Sequence, residues 1–252
     1  LQNTLDKLEV NAKELEISLE KEKVLGDLKT RFVSMASHEF RTPLTAILSS
    51  ATLIEKYQKE TDQEKRLHHI NRIKSSVSNL TEILEEFLSV GKLEDGKIEL
   101  HLAEIPLTTF LENIVTELGA FRKVNQGIII DFMGLPTFHS DSSILRKILL
   151  NGLTNALKFS NKDVMLRVNS TQESLEINII DQGVGISQED QKHLFERFFR
   201  GGNVNVIQGT GLGLHLIDRY LELLGGNVQI TSELNKGTVL NFKIPLKHKQ
   251  ND

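Results

Sequence analysis

Between residues 70 and 87 the apolar positions Ile70, Ile73, Val77, Leu80, Leu84 and Phe87 alternate steps of three and four without a miss. That spacing gathers them on one face of an α-helix and fits no other regular element. A second stripe, Val33, Ala36, Phe40, Leu44, Ile47, Ala51 and Ile54, precedes it with the same periodicity. The polar segment YQKETDQ that joins them is short enough to force an antiparallel hairpin. One hairpin cannot bury both stripes well, whereas two hairpins make a four-helix bundle. The expected unit over residues 31–93 is therefore half of a homodimer.

Upstream, Leu1, Leu5, Leu8, Ala12, Leu15 and Leu19 form a heptad seam. Glu22 and Gly26 fall where that seam would continue, and Leu25 and Leu28 restart it out of phase. Residues 1–30 thus predict a coiled-coil helix whose phase break locally changes the supercoil. The chain starts at a leucine inside this pattern, and the sequence is read as a fragment whose preceding part holds a sensor, a membrane segment or both.

Beyond GKLEDGKIEL, where Gly91, Gly96 and an Asp-Gly turn end the helical pattern, strands and helices mix. Helices are expected near 107–124, 141–160, 188–198 and 212–224. Strands are expected at 128–132, 163–169, 175–180, 227–232 and 238–244. VMLRV with LEINII, and NVQITS with TVLNFKI, face each other across short polar loops and predict antiparallel hairpins. The fold class is α+β: a helical bundle, then a two-layer α/β sandwich over residues 97–248.

Composition narrows the function. A net charge of −4 over 252 residues argues against nucleic acid as a partner, and no cysteine is present for disulfides or thiolate metal sites. No apolar run approaches the ~20 residues of a membrane span. A cytoplasmic location follows as the expectation, the chain being either a soluble protein or the cytoplasmic portion of a membrane-bound sensor. Eight histidines occur, and none pairs with another at zinc-motif spacing with supporting ligands.

One histidine differs from the rest. In SMASHEFRTPLTAI, His38 lies about 200° around the helix from both Ala36 and Phe40, so it faces away from the apolar stripe. A solvent-facing neutral imidazole is a competent nucleophile. Glu39 can accept the proton of one ring nitrogen and leave the other free to attack. Thr42 shares the face of His38 at i+4 and can hold a water beside a modified ring. Pro43 deprives the Glu39 carbonyl of its helical donor, which predicts a kink or loosening beside the histidine.

Four later segments suit a nucleotide. In LLNGLTNALKFS, Asn151, Asn155 and Lys158 lie on one helix face, where carboxamide oxygens suit a hydrated Mg²⁺ and the lysine suits phosphates. In IIDQGVGI, Asp181 ends an apolar strand, placed to accept from an exocyclic amine such as adenine's, and Gly183 and Gly185 allow close backbone approach. In GTGLGLHLIDRYLELLGG, Gly209, Gly211 and Gly213 open an amphipathic helix whose free N–H groups suit phosphate. In FERFFRGGNVNVIQ, three phenylalanines anchor an aperiodic tail that reads as a lid or a surface loop. Arg197 and Arg200 there can reach phosphates or cap a surface.

Together these segments resemble the sensor histidine kinases of two-component systems. SHEFRTPL is similar to the phosphoacceptor box, NGLTNALKFS to the asparagine box, DQGVGI and GTGLGL to the glycine boxes, and FERFFR to the phenylalanine box, all in the family's order. The resemblance implies a dimerisation and phosphotransfer domain followed by a GHKL-type ATP-binding domain. It implies that His38 takes the γ-phosphoryl group of ATP, that Glu39 assists, and that Thr42 supports dephosphorylation of a partner's phospho-aspartate. Asn155 is then the Mg²⁺ ligand, Asn151 and Lys158 lie near the phosphates, Phe159 packs beside the nucleotide and Asp181 reads adenine. Gly209, Thr210, Gly211, Leu212 and Gly213 supply the phosphate loop, with Gly183, Gly185 and Arg197 around it. The implied partner is the receiver domain of a response regulator, and exposed positions near Ser49, Ser50 and Leu53 are the expected contact points.

This sequence departs from the family at Gly152, where a bulky aliphatic residue is commoner, at Phe159, which lacks a tyrosine hydroxyl, and at Gln182, where asparagine is more usual. Hydrolytic relatives of the gyrase and heat-shock chaperone type place a glutamate four residues before the metal-binding asparagine. Here that position is Asn151, which cannot act as a general base. A non-catalytic nucleotide-binding scaffold is the remaining alternative, disfavoured by intact asparagine and glycine boxes.

Overall fold

The computed structural model describes residues 2–57, 59–96, 98–202 and 209–246, with side-chain surroundings given for only part of the stretch before residue 33. The chain divides into two compact units, Leu1–Ile83 and Leu84–Asp252.

The first unit is helical. Helix α1 spans Gln2–Lys56 and helix α2 spans Gln63–Glu94, joined by a single 3-10 turn at Glu60–Asp62. α1 is continuous through residue 30, so the expected coiled-coil segment and the first bundle helix are one element. Pro43 lies inside it and is buried. Of the heptad seam, Leu15 and Leu19 are described and exposed; Leu1 and the side chains of Leu5, Leu8, Ala12, Leu25 and Leu28 lie outside the described residues. The hairpin stripes also remain open to solvent at Val33, Leu44, Ile70 and Val77. Apolar rows this long, left uncovered by one chain, call for further burial.

The last turns of α2, through Phe87, Val90 and Leu93, pack on the core of the second unit. There β1 (Leu102–Pro106) pairs antiparallel with β3 (Thr137–Asp141), flanking α3 (Leu107–Glu117) and β2 (Ile128–Gly134). Then follow α4 (Ser142–Phe159), β4 (Val164–Ser170), β5 (Ser174–Asp181), α5 (Gly213–Leu224), β6 (Asn227–Glu233) and β7 (Gly237–Pro245). The main sheet has the order β2-β4-β5-β7-β6. β2 and β4 are parallel, and the other pairs are antiparallel, with Ile177 opposite Phe242 and Ile230 opposite Leu240.

Period-two alternation puts Val164, Leu166 and Val168 of β4, Leu175, Ile177 and Ile179 of β5, and Leu240, Phe242 and Ile244 of β7 on one buried face. Leu145, Ile148, Leu149, Leu153 and Leu157 of α4 and Leu216, Ile217, Tyr220, Leu221 and Leu224 of α5 cover it. Each fully buried Leu or Ile contributes about 1.5–3 kcal/mol. The opposite face is polar, carrying an Asn241–Asn178 hydrogen bond and a Lys243–Glu176 ion pair, so helices have reason to cover only one side. The result is the expected two-layer sandwich.

Three expectations need correction. Residues 188–198 hold only a 3-10 turn, Asp190–Lys192, rather than a helix; Phe198 adopts a left-handed φ of 64° that no helix accommodates. β1 and β3 are additional strands. Ser50 is buried rather than exposed, while Ser49 is exposed. Gly152 also has a packing role: a Cβ there would stand 2.6 Å from Ile179 Cδ1, so its absence lets α4 sit close on the sheet.

Candidate functional site

On α1 the His38 side chain is 74% exposed and its neighbour Glu39 only 3%. His38 Nδ1 lies 3.3 Å from Glu39 Oε1. An ionised carboxylate only accepts, so the proton in this contact belongs on Nδ1 and the Nε2 lone pair is left for attack. Thr42 is exposed one turn later, with Oγ1 donating to the His38 carbonyl at 3.5 Å. His38 and Thr42 share an exposed helix face, as their i, i+4 spacing predicts, while Glu39 is turned inward.

The second unit assembles the remaining residues. α4 begins on Asp141, whose Oδ1 accepts from Ser143 N and Ile144 N at 2.9 and 3.1 Å and whose Oδ2 accepts from His101 N at 2.7 Å. Burial pushes the Asp141 carboxyl up, but these bonds together with that of the Ser143 hydroxyl outweigh it and hold the pKa below its ordinary value. The helix so anchored carries Asn151, Asn155 and Lys158. Asn151 Nδ2 donates to Lys147 O at 2.8 Å, which leaves its Oδ1 available.

The glycine-rich turn passes over this face of α4. A Cβ on Gly213 would lie 3.3 Å from Asn151 Oδ1 and 3.4 Å from Asn155 Nδ2, and one on Gly209 would lie 2.7 Å from Lys158 Nζ. Leu212 caps α5 without a side-chain bond, so first-turn N–H groups remain for an anion. Thr210 is buried; its hydroxyl donates to Glu86 and accepts from Leu212 N at 3.2 Å.

Asp181 closes the other side. Its Oδ1 accepts from Gly183 N at 2.7 Å, while burial raises its pKa against the opposing pull of the Gly183 and Thr238 amides. A Cβ on Gly183 would stand 2.4 Å from the Phe159 carbonyl oxygen, which places this loop against the end of α4. Gly185 has φ +65°, and a side chain there would strike the Glu233 carbonyl at 2.0 Å, so glycine is required. Lys158 Nζ sits 5.3 Å from the centre of the Phe159 ring. The Asp181–Gly183 turn thus lies against the end of α4, and the glycine loop passes close over Asn151, Asn155 and Lys158.

Phe198 N donates to Gly211 O at 3.2 Å, which draws the phenylalanine segment onto the same loop. Arg197 pairs with Glu94 and donates from Nε to His215 Nε2 at 3.2 Å. The tail expected as lid or loop falls mostly on residues 203–208, outside the described residues.

Sequence reading missed Asp141, although Asp-Ser-Ser before an apolar run is an N-cap signal. It also missed Lys123 and Gln126, whose side chains bind the carbonyls of Leu157, Lys158, Ser160 and Lys162 at the end of α4. Those partners lie more than thirty residues away, and nothing local signals them.

Comparison with known proteins agrees with this layout. Residues 28–96 match the His Kinase A (phospho-acceptor) domain, and residues 140–248 match the histidine kinase-, DNA gyrase B- and HSP90-like ATPase. The chain belongs to the sensor histidine kinases. The signal transduction histidine-protein kinase BarA of Escherichia coli (strain K12) is 30% identical over 260 residues, covering 98% of this chain and 28% of BarA. The structure of full-length ShkA in complex with AMPPNP superposes with a TM-score of 0.60 at 29% identity, covering 84% of this chain and 45% of that one. The histidine kinase ThkA in complex with the response regulator protein TrrA has a TM-score of 0.64 at 21% identity, covering 92% and 65%, and shares the fold. The chain spans under a third of the length of relatives such as BarA. Among the described residues no helix is long and apolar enough to cross a membrane.

Within a histidine kinase of this architecture the donor set fits a magnesium nucleotide. Carboxamide oxygens on one helix face suit a hard cation that keeps several waters and shares phosphate oxygens. The metal would supply charge neutralisation at the phosphates.

Proposed function

We propose that this chain is the kinase core of a two-component sensor, and that it phosphorylates itself on His38 from ATP and passes the phosphoryl group to an aspartate of a response regulator. In the first step His38 Nε2 attacks the γ-phosphorus and the bond to the β,γ-bridging oxygen breaks, releasing ADP. Glu39 holds the proton on Nδ1 and balances the positive charge that the ring gains. Asn155 holds Mg²⁺, Asn151 and Lys158 attend the phosphates, and residues 209–213 cradle them with backbone N–H groups. Asp181 accepts from the adenine amine, with Gly183, Gly185 and Phe159 beside the base. The work of such a site is positioning and charge neutralisation.

The observation that carries this reading is the exposed His38 paired through Nδ1 with a buried Glu39, in a chain that also builds the asparagine–glycine-loop cluster. The likeness to proteins solved with AMPPNP and with a response regulator supports the nucleotide and the partner. Residues 1–30 act as signal-transmitting helix, 31–93 as dimerisation and phosphotransfer domain, and 97–248 as catalytic domain. The exposed stripes on α1 and α2 are covered by a second copy. Thr42 supports phosphatase action towards the phosphorylated regulator, and the whole works in the cytoplasm, alone or below a membrane-bound sensor.

Incubation with γ-labelled ATP and Mg²⁺ tests the reading. Acid-labile, alkali-stable label on the protein is the expected result. Release of free phosphate with no label on protein would instead indicate a hydrolytic ATPase.

A further inference from the structure

We propose that His215 is a positioning residue for Arg197, and that it works as a neutral imidazole which fixes the guanidinium beside the phosphate-binding glycine loop. The inference rests on the proposed nucleotide site and adds to it a residue outside the family-like motifs.

His215 is on the first turn of α5, two residues after Gly213, and is 5% exposed. Its two ring nitrogens have different partners. Nδ1 lies 3.0 Å from the Phe195 carbonyl oxygen, which can only accept, so Nδ1 carries a proton. Nε2 lies 3.2 Å from Arg197 Nε, which can only donate, so Nε2 carries a lone pair. Both contacts demand the same neutral tautomer, with no conflict between them. Burial, and after it the charges of Arg197 and Arg219, lowers the His215 pKa against the pull of the Phe195 bond and Asp218. The neutral form is thereby maintained.

The consequence is local rigidity where the sequence otherwise offers none. The Phe195–Arg200 segment has no helix to hold it, and the chain turns sharply at Phe198, with its left-handed φ of 64°. His215 ties this segment to α5 twice, at the Phe195 backbone and at the Arg197 side chain. Arg197 is gripped at Nε by the imidazole, and a terminal nitrogen pairs with Glu94 at the end of α2. A guanidinium anchored at Nε can turn its outer edge from a carboxylate to a phosphate without losing its arm. Protonation of His215 would replace the acceptor with a donor and set two cations against each other.

Kinetics of the intact chain test this. His215→Leu keeps the volume and removes both bonds; His215→Gln retains an acceptor for Arg197; Arg197→Ala removes the client. The expected loss in kcat/KM for ATP in His38 labelling is about tenfold for His215→Leu and for Arg197→Ala, the scale of a hydrogen bond to a charged group. The double variant should lose no more than either alone, and His215→Gln should recover most of the loss. Wild-type labelling should also fall on acidification through the His215 pKa, and the Gln variant should lack that added step when its pH profile is divided into that of the wild type. Independent, multiplying losses in the double variant, or an unchanged rate in His215→Leu, would overturn the proposal. If His215→Leu does not fold, as judged by circular dichroism, the Gln variant's pH profile decides: a step identical to wild type overturns it. Absence of His38 labelling in the wild-type chain would instead strike the underlying kinase reading, and nucleotide affinity measured by fluorescence titration separates the two cases.

Discussion

A single contact, His38 Nδ1 to Glu39 Oε1, decides which ring nitrogen can react. His38→Gln should abolish phosphoprotein formation while nucleotide affinity stays within about twofold, because the side chain is solvent-exposed and its loss disturbs no packing. Filter-bound label and fluorescent-nucleotide titration measure the two quantities. Asp181 makes the opposite case, a group kept at some cost to the fold. Burial raises its pKa in the folded state, so its contribution is favourable below the unfolded value of 3.8 and declines as pH rises through the folded one. Asp181→Asn should therefore melt at or above the wild-type temperature at pH 7, with the gap shrinking as pH approaches 3.8, and should lose adenine nucleotide binding by tenfold or more. A melting temperature well below wild type at pH 7 would contradict that account. At this scale the sequence is most informative where one residue type has one use. Gly185 has to be glycine and His38 has to face outward. His215, by contrast, is one histidine among several, and only its own burial and its two partners, Phe195 and Arg197, distinguish it.

Elements hold these residues in place, and α4 matters most because it carries Asn151, Asn155 and Lys158. Its N-cap, Asp141, satisfies two helix N–H groups and also the amide of His101. Asp141→Ala should cost about 1–2 kcal/mol or somewhat more, read as a shifted denaturant midpoint. Because the folded Asp141 pKa is lowered, the wild-type advantage is present above 3.8 and is lost as pH falls through the folded value. Gly152→Leu should cost about 1–3 kcal/mol through overpacking against Ile179 and Phe242, despite the better helix propensity of leucine. Legibility differs among elements for a physical reason. β4, β5 and β7 alternate buried and partly exposed positions and are visible in the sequence. β1 buries only Ile105, and its pairing with β3 depends on residues more than thirty positions away, so no local pattern marks either strand. Residues 188–198 are rich in apolar and helix-forming side chains, yet the left-handed Phe198 and its bond to Gly211 commit that segment to the glycine loop.

For the molecule as a whole, the exposed apolar stripes of α1 and α2 are the main unspent resource of the fold. Val33, Leu44 and Val77 are between 49% and 56% exposed in the single chain, which is costly unless a second copy covers them. Leu44→Glu combined with Val77→Glu should convert a dimer to a monomer in sedimentation velocity, with the melting of the ATP-binding unit unchanged. A wild-type chain that sediments as a monomer would contradict the proposed bundle. The order of motifs along the chain makes two modules legible, because the first carries 3-4 helical stripes and the second carries strands with period-two alternation. How α2 divides between the two compact units is not legible, since its 3-4 periodicity continues across the division between Ile83 and Leu84. The central claim concerns where phosphate becomes covalent. Fragmentation mass spectrometry under neutral-to-alkaline conditions, after incubation with Mg²⁺ and ATP, locates it directly. Phosphate on His38 alone, absent from the His38→Gln chain, is the predicted result; phosphate on any other side chain, or its persistence in that variant, would contradict the account.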